Sequence, residues 1–344
     1  MRSLVIAALI GAASASTSAA QPAPPAPPPC TAAGDVQFVC GQQGPEDLVV
    51  LPGGRWVIAG SFGGSGGLNL IRVSDRTSVR AYPTPTTVDS LDAKAYKSCP
   101  GAPDAAMKAK FVTHGLSLRE GRNNVHTLYV VAHGARESIE VFTLDARPQT
   151  PTLTWIGCAV APDPIGLNSV RWLDDGGFIA TNFNPRGNNA GFGGLQKGEK
   201  NGELWEWHTA TGWQKVPGSE ASGANGLEIS PDGRTLYVAA WGSQSFFRLS
   251  RGDKEPKRDE IPLGFRVDNV RWAADGSLLA TGQAGQGPQS ETVVVRIDPR
   301  TLKSGEILRR PDVSGFTAGT VAVEVGKTLW VGSFVGDRIA VFPR

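Results

Sequence analysis

The sequence predicts an all-β fold, a six-bladed β-propeller with four strands per blade. Three observations point there. A hairpin pattern recurs six times, and most copies are followed by a third and a fourth β-like run. The composition, with 43 Gly and 25 Pro in 344 residues, also leaves almost no stretch of helical period. The clearest copy is residues 224–240, ANGLEISPDGRTLYVAA. Leu227 and Ile229 alternate with polar neighbours, Pro231-Asp232-Gly233 supplies a tight turn, and Leu236, Tyr237 and Val238 favour the return strand. Asn225 is expected just before the outgoing strand. It would then share one end of the hairpin with Trp241, where the return strand finishes.

Residues 1–20 carry one Arg, an apolar run at 4–10 and small residues ending Ser18-Ala19-Ala20, the pattern of a secretory leader cleaved after Ala20. The apolar run falls far short of the ~20 residues a membrane span needs. Export to a periplasm or the medium is therefore expected, without stable membrane insertion. Residues 21–34 begin QPAPPAPPP, a stiff spacer. The propeller domain is expected over 35–344. Its first run, DVQFVC at 35–40, is read as the strand that closes the last blade by pairing the two ends of the chain.

Glu46-Asp47 precede the first hairpin, His114 the second, Asn168 the third, Asn225 the fourth, Asp268-Asn269 the fifth and Gly319-Thr320 the sixth. The copies are spaced roughly 45 to 65 residues apart, near the ~40–50 of four-stranded blades. Third runs are GLNLIRVSD, SIEVFTLD, GELWEWHT, QSFFRLSR, TVVVRIDPR and RIAVFPR. Fourth runs are SVRAYPT, TLTWIGCAV, GWQKVPG, DEIPLGF and GEILRR. Residues 84–110 break the rhythm and read as a long connection with room for a short helix. Residues 184–201 and 282–290 are Gly-rich loops that leave return strands at the polar end, where they would border a binding mouth.

Cys30, Cys40, Cys99 and Cys158 allow three pairings in an oxidising compartment. The favoured one joins Cys30 to Cys40 locally and Cys99 to Cys158 across the insertion. No C-x-x-C spacing suggests a zinc site. A net charge of +2 without basic clusters gives no reason to expect a nucleic-acid partner. A monomer acting on a small molecule is expected.

The chemistry lies in the residues that start the hairpins. Innermost propeller strands converge on the axis, so Glu46, Asp47, His114, Asn168, Asn225, Asp268 and Asn269 would meet around one channel. Carboxylates and amides gathered there need a counter-charge. A hard cation taking six to eight oxygens fits, calcium above magnesium or zinc. Singly, each residue has a plainer reading: a turn at Asn225-Gly226, a loop cap at Asp268-Asn269, a solvated edge at Glu46-Asp47. Their common register carries the metal reading.

With these residues in place, GPEDLVVLPGG, HGLSL, LYVVAH, GLNSV, ANGLEISPDG and VDNV resemble, in order, motifs of the paraoxonase/arylesterase family. That family belongs to the calcium-dependent six-bladed propeller superfamily that includes gluconolactonase. The resemblance runs from Glu46 to Asn269. It implies a catalytic Ca2+ held by Glu46, Asn168, Asn225, Asp268 and Asn269, and a histidine dyad of His114 and His133. It also implies a second, structural Ca2+ on Asp47, although Ser169 stands where the family places an Asp. The family's terminus-closing disulfide, its N-terminal lipoprotein-docking helix and its His after the fifth hairpin have no counterpart.

The resemblance implies an exported calcium-dependent esterase or lactonase. The ion would polarise the carbonyl, His114 would act as general base on water, and His133 would orient it. Glu46 and Asp47 are the alternative bases. The return-strand ends are Phe62, His133, Phe183, Trp241, Gln283 and Phe334. If Phe62, Phe183, Trp241 and Phe334 ring the mouth, an aryl ester or alkyl lactone suits the pocket better than a sugar lactone. They could equally pack blade against blade. A gluconolactonase-like enzyme and a non-catalytic binding propeller are the other functional readings.

Overall fold

The computed structural model describes residues 30–188, 191–285, 287–313 and 315–344. The leader at 1–20 and the proline run at 21–29 lie outside the described residues. The strands in chain order are β1 (Gln37–Cys40), β2 (Leu48–Val50), β3 (Trp56–Gly60), β4 (Leu68–Arg72), β5 (Ser78–Tyr82), β6 (Val88–Asp89), β7 (Val112–Arg119), β8 (Val125–His133), β9 (Ser138–Asp145) and β10 (Thr152–Val160). They continue with β11 (Leu167–Trp172), β12 (Phe178–Asn182), β13 (Glu203–His208), β14 (Gly212–Lys215), β15 (Ala224–Ile229), β16 (Thr235–Ala240), β17 (Ser245–Ser250) and β18 (Arg258–Pro262). The last are β19 (Arg266–Trp272), β20 (Leu278–Ala284), β21 (Glu291–Ile297), β22 (Ser304–Pro311), β23 (Gly319–Val325), β24 (Thr328–Ser333) and β25 (Arg338–Pro343). Two short helices, α1 (Ala105–Lys108) and α2 (Gly191–Gln196), lie in connections.

These strands form six antiparallel meanders, the six blades expected from the repeat. The last runs β1-β25-β24-β23. β1 pairs antiparallel with β25, Gln37 facing Val341 and Cys40 facing Arg338, so the ends of the chain close the ring. Cys30 is bonded to Cys40, and Ala33 bridges to Val36. The last residues of the expected spacer are thus tied to β1.

Blades pack face to face through apolar side chains. Tyr129 of one blade meets Phe178 of the next with ring centroids 6.0 Å apart, and Phe246, Phe247 and Trp155 are fully buried. Each such ring removed from water contributes ~1.5–3 kcal/mol. Residues 84–110 are more than a connection. They add β6 as a parallel fifth strand on β10 and carry α1, N-capped by Asp104. The Cys99–Cys158 disulfide fastens them to β10.

Candidate functional site

The inner strands approach so closely at the axis that side chains must be absent from alternate positions. A Cβ on Gly226 would lie 2.5 Å from the Asp268 carbonyl oxygen, and one on Gly115 would lie 2.6 Å from the Asn168 carbonyl oxygen. The pairs His114-Gly115 and Asn225-Gly226 therefore set a polar side chain beside the gap its neighbour needs. One expectation is corrected here. His114, Asn168, Asn225, Asp268 and Asn269 do not precede their strands but lie inside β7, β11, β15 and β19. Each sits where the pairing with the return strand breaks: Thr113/Leu116, Leu167/Val170, Ala224/Leu227 and Val267/Val270. Bulges re-aim side chains. Here they turn polar groups inward from strands that otherwise alternate.

The re-aimed groups meet. Asn269 Nδ2 donates to Glu46 Oε1 at 2.5 Å, the Asn225 amide hydrogen-bonds the Asp268 carboxylate, and Glu46 Oε1 lies 3.7 Å from His114 Nε2. Glu46, Asn168, Asn225 and Asp268 line one cavity of about 770 Å3, with Asn269 just behind them. Four oxygens of this set, Glu46 Oε2 and the Oδ1 atoms of Asn168, Asn225 and Asn269, are buried without a hydrogen-bond partner among the described residues. Such atoms are costly. Burial and the carboxylates of Asp47 and Asp268 push Glu46 well above the usual carboxylate range, and burial raises Asp268 to about 7. Several unsatisfied hard oxygens beside two destabilised carboxylates fit a divalent cation with oxygen preference, calcium first.

His114 is oriented by a chain that continues past the expected partner. Its Nδ1 lies 3.0 Å from His133 Nε2, and His133 Nδ1 lies 2.8 Å from Glu137 Oε2. Glu137 is held by the Leu167 backbone N–H, which donates to its other oxygen at 2.7 Å. A carboxylate only accepts, so His133 carries its proton on Nδ1 and accepts from His114 at Nε2. His114 Nε2 is then a lone pair, consistent with the Asn168 Nδ2 donor 3.3 Å away. Burial and His133 hold His114 well below the usual histidine range, so it is neutral and able to take a proton. Glu137 was not singled out from sequence. Its spacing, four residues after His133 across a hairpin bend, is the signal that was there.

Asp47 behaves differently from its neighbour. Its Oδ1 accepts from the Leu48 N–H and from Arg271 Nη2, and its Oδ2 accepts from the Leu116 N–H at 2.6 Å. Nearby, Arg171 Nη2 donates to Glu228 Oε1 at 2.9 Å and its Nη1 to the Leu116 carbonyl. Two guanidinium groups thus fill the axis below Glu46. Asp47 faces Arg271 where the resemblance implied a second calcium, and Ser169 adds no carboxylate.

All six expected return-strand residues, Phe62, His133, Phe183, Trp241, Gln283 and Phe334, line the cavity. Phe62 lies against the His114 ring at 4.6 Å. Gln283 donates to Asp268 Oδ2 at 2.9 Å and to the Gly319 carbonyl at 2.7 Å. Phe192, missed in the Gly-rich loop, reaches the cavity from α2 and is 60% exposed. At the opposite end, Asp175, Glu206 and His208 have ligand atoms within 4.8 Å of one another and could hold a cation. Arg251 already pairs with both oxygens of Glu206 there.

No known family matches the chain, and no curated protein matches it by sequence. Its similarity to solved structures is broad. A luciferin-regenerating enzyme aligns at a TM-score of 0.55 and 12% identity over 89% of this chain and 94% of the other. A hydrazine synthase of Kuenenia stuttgartiensis aligns at 0.52 and 12%, over 88% and 96%. Virginiamycin B lyase of Staphylococcus aureus aligns at 0.51 and 13%, over 90% and 99%. At such identities the likeness is one of fold: this chain has the propeller architecture that those proteins share.

Proposed function

We propose that the protein is an exported, calcium-dependent hydrolase of carboxylic esters or lactones, related to the paraoxonase/arylesterase family. One observation carries the reading: four buried oxygens without a hydrogen-bond partner among the described residues, three of them on cavity-lining side chains, lie beside a neutral histidine whose Nε2 lone pair meets Asn168 in the same cavity. Glu46, Asn168, Asn225, Asp268 and Asn269 would hold the ion, whose contribution when bound is to polarise the ester carbonyl and neutralise the developing oxyanion. His114 Nε2 takes a proton from the attacking water. The single positive charge that results is shared between His114 and His133, and Glu137, which remains a carboxylate, stabilises it. Phe62 packs on His114 and shields it from bulk water. Asp47 is a poor candidate base, since both of its oxygens are engaged.

The aromatic wall favours an aryl ester or alkyl lactone over a gluconolactonase-like sugar substrate. Two disulfides support an oxidising destination. The test is a panel of phenyl acetate, aliphatic lactones and glucono-δ-lactone, with and without a calcium chelator. Cleavage of the first two is expected, lost on chelation and restored by calcium. His114→Gln should lower kcat/KM roughly 10²–10⁴-fold while keeping the calcium-dependent rise in Tm. Absence of turnover together with a Tm indifferent to chelator would favour the non-catalytic binding propeller.

A further inference from the structure

The cavity carries one charge that this chemistry does not use. Arg266 opens β19, two residues before Asp268, and both side chains line the cavity. Its guanidinium lies over the Trp241 ring, 4.9 Å from the centroid. Among the described residues it has no hydrogen-bond or ion-pair partner. Other charged groups of the wall are committed. Arg186 pairs with Asp163 at 2.7 Å and donates to the carbonyls of Ile165 and Ala161, and Glu137 holds His133 and the Leu167 N–H. With a divalent ion balancing Glu46 and Asp268, Glu137 and Arg266 are the remaining charges of opposite sign on the wall, and of the two only the Arg266 guanidinium has no hydrogen-bond partner among the described residues.

The surroundings of Arg266 say what would meet it. Trp241, Phe183 and Phe192 form a three-ring cluster, with centroid separations of 5.8, 5.9 and 5.7 Å. A guanidinium lying on an indole keeps its edge N–H groups free, and that planar fork matches a carboxylate. An apolar wall therefore ends at a cation with an open donor edge. We propose that the preferred substrates carry a carboxylate at the far end of an apolar arm. The arm lies along Phe183, Phe192 and Trp241, the anion pairs with Arg266, and the ester or lactone carbonyl is left toward Glu46 and His114. The proposal takes its reaction from the hydrolase reading, but the binding preference needs no turnover.

The experiment is calorimetric titration of the calcium-loaded protein with 4-phenylbutyrate and with its uncharged twin, 4-phenylbutyramide. The carboxylate is expected to bind about tenfold more tightly, the scale of one charge-assisted pair. Arg266→Gln should bring the two ligands near parity, and Arg266→Lys should keep part of the preference. Equal affinities in the unmodified protein, binding of neither ligand, or a preference that survives in Arg266→Gln would each overturn the proposal. The last outcome would place the carboxylate on the metal instead. In parallel, kcat/KM is compared for 4-nitrophenyl hydrogen glutarate and 4-nitrophenyl butyrate. Selective binding of the carboxylate with neither ester cleaved would sink the hydrolase reading and leave this one standing. Cleavage of both esters at equal rates, with equal ligand affinities, would sink this one alone.

Discussion

Glu46 and Asp47 are adjacent, both carboxylates, and both almost wholly buried, at 1% and 0% exposure. Their surroundings are opposite. Asp47 faces down the axis onto Arg271 and two backbone N–H groups. Glu46 faces up, into a set of oxygens that no described residue satisfies. Below, the charge is balanced by a cation that is part of the chain. Above, it is left for the exchangeable ion we propose. The lower arrangement is a structural plug, the upper one a site with stored cost. That difference separates the end of the channel where we propose the ion and the chemistry from the end closed by arginine–carboxylate pairs.

The largest effect should come from breaking the plug. Arg271→Met removes the guanidinium hydrogen-bonded to buried Asp47, and above pH 7, where Asp47 ionises, unfolding free energy should fall by about 3–5 kcal/mol. Asp47→Asn added to it should recover most of the loss in denaturant melts. If Arg271→Met is neutral, the axis is not held by this pair. Next, Glu137→Gln should reduce ester kcat/KM roughly 10- to 100-fold, part of what general-base catalysis supplies. Without the carboxylate the imidazolium is harder to form, so the acidic limb of the pH–rate profile should move to lower pH. A purely structural Glu137 would leave that limb in place.

The smallest effect sharpens the upper half of the comparison. Glu46, Asp47 and Asp268 all have folded-state pKa values raised by burial, Asp47 and Asp268 to about 7, and only Glu46 and Asp268 line the cavity. A raised carboxylate binds its proton more tightly folded than unfolded. Metal-free stability is therefore greatest at low pH and is lost as pH rises from the ordinary carboxylate range through about 7. In chelator, Tm should fall by a few degrees between pH 5 and pH 8. With calcium, the decline should flatten and the gap between the two curves widen. Parallel curves would mean that the two carboxylates do not face a metal.

Much of the frame was legible in the chain. The hairpins of residues 224–240 and its sisters, the strand at Gln37–Cys40 and the two disulfides follow from alternation, turn residues and cysteine spacing. The arginine plug also left a trace that was passed over. Val-Arg-Trp occurs at 170–172 and again at 270–272, so each Arg stands three residues after an axial position, Asn168 or Asp268, at the same place in its blade. Glu137 and Phe192 were harder, because a bend and a Gly-rich loop have no periodicity to read.

By itself, the sequence determined the repeat, the blade count, the closing partner of the last blade and the residue types on the axis. Those depend on local alternation and on turns, which act over a few residues. Only the tertiary structure decided which of two neighbouring carboxylates is satisfied and which is exposed to the cavity. That choice turns on bulges and on a guanidinium group arriving from a distant strand, the Asp47–Arg271 contact having a separation of 224. No short-range pattern encodes it, because the desolvation that makes the choice costly exists only once the blades have closed around the axis.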